Sequence, residues 1–475
     1  MHALDFVIFA VYFAVVLYIG FYFFRKNTNR EEYYIGGRSM SASHIGFSIV
    51  ATDVGGGFSI GLGGLGFVMG LSGSWLLFTG LVGAWLAAVF IIPKIKKIDA
   101  EKGLLTFPDF LRLHYNEKVA VSAALISGIG YLGFTSAQIL AGAKLAAGTV
   151  FSNVQILAPL DLSLYIMTTI IILYTVMGGL KAVIYTDTFQ WMILLSGLIL
   201  FGLPFAYVKV GGMQVLLSEL PPEFFSLGNL TISQFLNWFF TIVPIWFIAM
   251  TLYQRIYACK DVKSARRAFY LAGILEYPLM AFAGVILGMI ARIYFPAVDS
   301  EMAMPMLLKK ILPIGIKGVV IAAYFSAIMS TADSCLIASS GNVVNDVIEK
   351  LFVKKASHKK MILLSQGVTL VIGFITFIIA KSYTTVLQII LHAYSFMVAG
   401  LLVPTLMGYF SRYTSSKAAL VSMFGGGGLT LFLIFLQIET PFDLDASIWG
   451  LGFSALLYVG VLIVEKFIKK DVYVR

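Results

Sequence analysis

An all-α polytopic membrane protein is the fold class that this sequence predicts, and three observations carry the prediction. Hydrophobic residues make up 59% of the 475 positions and charged residues only 12%, against about 45–50% and 25% in soluble domains. Apolar runs of the roughly 20 residues needed to cross a bilayer recur along the whole chain. Lys and Arg cluster in alternate loops between those runs, as they do where one side of a membrane is cytoplasmic. With a mean hydropathy of +0.91, lipid rather than water is the solvent for much of this surface.

Thirteen apolar runs are counted, at 4–24, 44–70, 72–93, 119–150, 160–178, 186–208, 230–254, 268–291, 315–345, 361–380, 383–410, 416–437 and 447–465. The stretches at 44–70 and 383–410 do not read as clean single helices. The first run carries Asp5 instead of a basic leader and has no small-residue cleavage site, so it reads as a retained span. Placing the amino terminus outside puts 27 of the 34 Lys and Arg residues in cytoplasmic loops or the tail. Among them are Arg255, Lys260, Lys263, Arg266 and Arg267 after the seventh run. The net charge of +10 is thus a matter of sidedness in an inner or plasma membrane, with the carboxyl terminus inside, and not of nucleic-acid binding. Two cysteines, Cys259 and Cys335, are too few for a disulfide scaffold. No extramembrane domain and no Walker-type phosphate loop is legible, which excludes an ATPase and leaves an ion gradient as the energy source.

The second run is the most unusual. It holds ten glycines between Gly46 and Gly73, with Thr52 and Asp53 before Gly55-Gly56-Gly57. Each glycine costs about 1 kcal/mol relative to alanine in a helix interior, so three together favour an unwound break. Such a break is tolerated at membrane depth only where it is buried in protein or lines a cavity. Close helix packing accounts for the glycines but not for Asp53, since a carboxylate there costs about 2.5–3.5 kcal/mol and is a functional hypothesis by default. In the ninth run, Ala327, Ser330, Thr331 and Ser334 recur at helical spacing and share one face beside Asp333. A face of hydroxyls suits a hard cation, whereas a single hydroxyl would more often bond back to its own helix. A third segment, Gly178-Gly179 with Lys181 and Tyr185-Thr186-Asp187, lies at the cytoplasmic mouth of the sixth run. There Asp187 either guides a cation or caps a helix with Thr186.

Other polar groups inside runs are Gln138, Lys144, Glu276 and His392, each more often a paired structural group than a ligand. Trp238, Trp246 and Tyr253 could stack on a solute, as could Phe134. The sequon Asn229-Leu-Thr231 is weak evidence for glycosylation.

These segments resemble the sodium:solute symporter family, whose members include sodium/proline, sodium/pantothenate, sodium/galactose and high-affinity choline transporters. Gly178-Gly179 through Thr186-Asp187 to Gln190 is similar to its GG…TD..Q signature. Ser326–Ser340 is similar to its AAIMSTADS…SS segment, and Ala51–Gly57 to its broken helix. The resemblance covers nearly the whole chain. It implies a LeuT-like fold of two inverted five-helix repeats within a single transporter domain. Residues 44–208 would form the first repeat and 230–410 the second, with 1–43 and two helices in 411–475 peripheral. It further implies Na+ as coupling ion, held by the carbonyls of Ala51, Val54 and Ala327 and the hydroxyls of Ser330 and Thr331, with Asp187 on the ion's exit route. A small solute would sit against Asp53, Gly55, Gly56, Gln138 and Trp246. Asp53 departs from the choline branch, which has an aromatic residue there, and matches the proline branch. A carboxylate suits an amino group or a second cation. The implied activity is sodium-coupled uptake of a small solute, not enzymatic catalysis, with lipid as the surrounding partner and the oligomeric state open. Rival readings are a proton-coupled symporter of the same fold, a passive channel or nutrient sensor, and an intramembrane aspartyl protease, for which the paired motifs are missing.

Overall fold

A computed structural model describes residues 2–26, 35–152, 158–177, 180–349 and 358–473. Every extended element among the described residues is helical, and one isolated bridge joins Met40 to Cys259. The helices that matter here begin with α1 (Ala3–Lys26), α2 (Ala42–Asp53), α3 (Gly55–Met69), α4 (Trp75–Phe90), α5 (Glu117–Gly148), α6 (Pro159–Met177) and α7 (Leu180–Ser196). They continue with α8 (Ile232–Ile242), α9 (Met250–Ala258), α10 (Val262–Ile274), α11 (Ala281–Tyr294) and α12 (Ser300–Ile311). The last five are α13 (Ile316–Gly341), α14 (His358–Ser382), α15 (Val386–Phe410), α16 (Ser416–Phe435) and α17 (Ala446–Tyr473). Several begin at side-chain caps that satisfy orphan backbone donors: Ser41 for α2, Asn116 for α5, Thr231 for α8, Asp261 for α10 and Asp299 for α12.

Among the described residues, nine helical stretches are long and apolar enough to cross a membrane, or ten when the bent pair α8–α9 counts as one span. The count of thirteen is therefore not reproduced by length and composition. Part of the reason is length, since among the described residues the first and fifth runs register only as the shorter apolar helices Ala3–Val15 and Pro159–Leu173, and the rest is where helices break or run together. The second apolar run divides into α2, only 12 residues long, and α3, which runs on with α4 as a single stretch of 36 residues. The run at 383–410, expected to be irregular, is instead one continuous helix despite Pro404. The seventh run is the one that breaks: α8, extended by the short turn Val243–Phe247, meets α9 at 41° across Ile248 and Ala249, and Pro244 removes a helical donor within that turn.

Helix α13 is the axis of the bundle. It packs against α5, α7, α1 and α14, and the most apolar window of its span is 100% buried. Polar residues on α13 therefore face protein on all sides. Both cysteines are buried and free.

One end of the bundle is tied by Lys144, the intramembrane lysine of α5. Its ammonium lies 2.7 Å from Glu301 and 3.0 Å from Asp299. The Glu301 carboxylate also accepts the amides of Val386 at 2.9 Å and Leu387 at 3.1 Å, joining α5, α12 and α15. Removing one member of a buried pair strands the other charge and costs about 3–5 kcal/mol. Glu301→Gln leaves Lys144 only the more exposed Asp299 and should destabilise the protein by up to about that much, read as a lower thermal unfolding midpoint in detergent. An unchanged midpoint would show that Lys144 finds its compensation elsewhere.

Candidate cation and solute site

The break in the glycine-rich run is sharper than the sequence suggests. Val54 keeps helical dihedrals, its amide bonds to Val50 at 3.0 Å, and its carbonyl accepts from Phe58 at 3.1 Å. The interruption is confined to Gly55, whose φ of +46° lies in the left-handed region, which only glycine enters without penalty. A Cβ there would collide with the Thr331 hydroxyl, and one at Gly56 with Ile328. The glycines thus do two jobs at once, turning the chain and letting α13 close onto it.

At that contact the Thr331 hydroxyl lies 2.7 Å from the Ala51 carbonyl and 3.0 Å from the Ala327 carbonyl. A hydroxyl has one proton and cannot donate fully to both. Three oxygens from two helices therefore converge with fewer protons than acceptors, and oxygen is the ligand type that hard cations take. The neighbouring Ser330 hydroxyl donates to Asp187 and keeps its lone pairs. Three of the five expected ligands, Ala51, Ala327 and Thr331, meet directly. Ser330 stands next to them, and the Val54 carbonyl is engaged in the helix.

Asp187 is placed in the core, fully buried, and is part of a network that sequence reasoning missed. Its carboxylate lies 3.2 Å from the Arg255 guanidinium, and both side chains are 0% exposed. Ser48 donates to the same carboxylate at 2.5 Å. Arg255 in turn donates to Ser48 at 3.0 Å, Ser334 at 3.1 Å and the Thr251 carbonyl at 3.1 Å, and to Thr52. Arg255 was expected in a cytoplasmic loop with the bases that follow it. The α8–α9 bend instead folds it into the protein, where only a carboxylate and several acceptors can compensate its charge. A single Arg at the end of an apolar run gives no signal of this. Asp333, on the far side of α13, takes a hydrogen bond from Thr175. Gly178 and Gly179 lie outside the described residues.

The opposite side of the break is aromatic. Asp53 is 7% exposed and accepts from the Tyr394 hydroxyl at 3.4 Å. Phe134 stacks on Tyr394 with centroids 5.2 Å apart, and Phe58 closes the trio at 6.1 and 6.4 Å. One turn along α5, the Gln138 carbonyl accepts the Gly57 amide at 2.9 Å, and its amide nitrogen is buried with no partner among the described residues. Phe58 and Tyr394 were not anticipated, since aromatics are common in membrane helices. Asp53, Gly55, Gly56 and Gln138 gather at one junction. Trp246 packs elsewhere, against Gly83 and Phe269.

The remaining candidates lie outside this junction. Tyr253 is tied to Tyr409 at 2.9 Å. Trp238 and His392 line adjoining cavities of about 640 and 390 Å³ that share Gln388 and Asp445; Trp238 belongs to the smaller one. The Asn229 amide nitrogen donates to the Met69 carbonyl at 3.0 Å, which ties up the group that a glycan would need.

Comparison with known proteins follows the same line. A family model described as the sodium:solute symporter family matches residues 33–426. The high-affinity proline transporter of Bacillus subtilis is 27% identical over 427 residues, covering 88% of this chain and 89% of that one. The sodium/glucose cotransporter of Vibrio parahaemolyticus is 26% identical over 506 residues, covering 96% and 89%. Among solved structures, a Na+-coupled sialic acid symporter in a substrate-bound outward-open state matches with a TM-score of 0.77 at 19% identity, covering 96% of both chains. A nucleobase-cation-symport-1 family transporter in a closed conformation matches with a TM-score of 0.58 at 16% identity, covering 92% and 95%. At these identities the two structures establish a shared fold, that of the LeuT-like transporters.

The Arg255–Asp187 pair makes a stability prediction of its own. Asp187→Asn leaves a buried guanidinium without its counter-charge and should cost about 3–5 kcal/mol. Asp187→Asn combined with Arg255→Gln removes both charges and should recover a large part of that loss. Thermal unfolding of Asp187→Asn, Arg255→Gln and the double variant beside the native protein decides the matter. A double variant as unstable as the sum of its singles would show that the two charges do not compensate each other.

Proposed function

The chain belongs to the sodium:solute symporter family, and from that premise we propose that it imports a small amine-bearing organic solute, an amino acid above all, by alternating access. It is an integral membrane protein and a sodium-coupled solute symporter, with sodium as the coupling ion. The finer reading rests chiefly on one observation. The Thr331 hydroxyl and the Ala51 and Ala327 carbonyls converge where the glycine break meets α13, immediately beside Asp53.

In this reading sodium enters from outside and takes the carbonyls of Ala51, Val54 and Ala327 with the hydroxyls of Ser330 and Thr331. To bind, it displaces the Thr331 proton from its two carbonyl partners and turns the hydroxyl's lone pairs inward. That fixes α2 and α3 against α13 and so sets the Asp53 carboxylate. The solute ammonium pairs with Asp53, and its apolar body lies on Phe134, Phe58 and Tyr394. Gln138 offers its unpartnered amide to a carboxylate or carbonyl oxygen, while the backbone at Gly55 and Gly56 allows close approach. Trp246 remains a candidate contact, with its indole N–H buried and unpartnered among the described residues. Sodium then leaves past Ser330 to Asp187. Two Bacillus subtilis relatives are proline transporters by name, which makes L-proline the first solute to test.

The proposed topology is thirteen spans, with amino terminus out and carboxyl terminus in. It has inverted repeats over 44–208 and 230–410, and each repeat contributes one of the two broken helices. One sodium ion descending 100 mV supplies about 2.3 kcal/mol, and a tenfold concentration gradient adds roughly 1.4 kcal/mol. At one-to-one coupling this sustains roughly 500-fold accumulation of a neutral solute.

A thermal-shift screen of small amino acids, amines and carboxylates, run in sodium and again in potassium, tests this reading. L-proline or a related amino acid should stabilise the protein in sodium only. Thr331→Ala should raise the half-saturating sodium concentration by about tenfold or more, as loss of one charge-assisted ligand costs about 1.5–3 kcal/mol. Stabilisation indifferent to the cation, or only by sugars, would overturn it.

A further inference from the structure

Glu276 is unused by this mechanism. It is 0% exposed, and both of its carboxyl oxygens are buried without a hydrogen-bond partner among the described residues. Asp333 and Asp346 each leave one oxygen unpaired but have the other bonded. Buried polar groups in folded proteins are almost always satisfied, and a buried carboxylate with no counter-charge costs several kcal/mol. Glu276 therefore calls for a proton or a cation that the described residues do not supply.

The surroundings are specific. A Cβ at Gly80 of α4 would lie 2.6 Å from a Glu276 oxygen and 4.0 Å from the Trp246 indole nitrogen. That indole nitrogen is also buried and unpartnered among the described residues. Neither α4 nor the turn Val243–Phe247 contains a charged residue. The charged and titratable groups that act on Glu276 across the bundle are Asp53 and the Tyr394 phenol, neither of which brings a positive charge. Glu276 itself sits in a π turn, Leu275–Met280, that interrupts the helix between α10 and α11, a local form concentrated at functional sites. Through Gly80 it lies beside Trp246, which belongs to the turn at the α8–α9 bend. Breaks of this kind are where transporters hold ions.

We propose that Glu276 holds a second coupling cation, a small monovalent ion that is either Na+ or H+, at its carboxylate beside Trp246 and Gly80. Each transport cycle then carries two positive charges inward. This rests on sodium-coupled symport but not on where the first sodium sits. A single carboxylate with few neutral neighbours suits a proton or a partly hydrated sodium ion better than a divalent metal, which takes six to eight oxygen ligands.

The test is a sodium titration of thermal unfolding of the full-length purified protein, without solute, in N-methyl-glucamine buffer at pH 6 and pH 8. If the second ion is sodium, the native protein responds with a Hill slope of about two and Glu276→Gln with about one. If it is a proton, both slopes are about one. The native half-saturating sodium concentration then shifts several-fold between the two pH values, and that of Glu276→Gln does not. Glu276→Asp keeps the carboxylate, so it retains whichever signature the native protein shows, with half-saturation weakened by roughly three- to tenfold. A native slope of one that is indifferent to pH overturns the proposal and leaves sodium symport intact. So does a Glu276→Gln variant identical to the native protein. Should that variant fail to fold, Glu276→Asp identical to the native protein overturns it equally. No sodium response in the native protein would overturn sodium coupling as well.

Discussion

The contact between the Thr331 hydroxyl and two backbone carbonyls, Ala51 on one helix and Ala327 on another, is the interaction on which the remaining arrangement depends. It exists only because Gly55 carries no side chain and turns left-handed. With any larger residue, α13 stands off and the oxygens separate. The hydroxyl proton is a weak occupant of this position, since it satisfies one carbonyl at the expense of the other. In the proposed site a monovalent cation would serve all three oxygens together, which would make the junction sensitive to sodium without a carboxylate ligand.

The buried Arg255–Asp187 pair sets the electrostatic background for that junction. It links α2 through Ser48 and Thr52, α7 through Asp187, α9 through Arg255, and α13 through Ser330 and Ser334. Breaking such a pair is costly, although making it yields little net stability, so its value lies in holding four helices in one register. Ser330 belongs to both parts: it is a proposed sodium ligand, and its proton is committed to Asp187. On the proposed exit route, sodium passing Ser330 would bear directly on the ion pair, which would link ion release to the packing of α2 and α9.

Much of this was legible in the sequence, for identifiable reasons. Glycines in sequence beside an aspartate announce a break, and hydroxyls at helical spacing announce an oxygen-lined face; the structure brings Asp53, Gly55, Gly56, Gln138, Ala51, Ala327 and Thr331 together. The extent of the break was not legible, because three glycines permit unwinding while packing by Thr331 and Ile328 confines it to one residue. The span count came apart where apolar length stops being informative, in a 12-residue half-helix and a 36-residue continuous stretch. Arg255 was misplaced because a positive charge at the end of an apolar run is ordinarily a cytoplasmic marker. Its burial is decided by Asp187, 68 residues away in the chain. Tyr394 and Phe58 are aromatics in membrane helices, where aromatics are common and nothing in the spacing marks these two.

Hydrogen–deuterium exchange of the purified protein in sodium and in potassium at equal ionic strength, read on peptides covering Ala42–Met69 and Ile316–Gly341, tests the central claim most directly. The account predicts that sodium slows exchange at the amides around the Gly55 break and along the facing turn of α13, and that Thr331→Ala abolishes the difference. Equal exchange in the two salts at both segments, or protection that persists in Thr331→Ala, would place the coupling ion somewhere other than this junction.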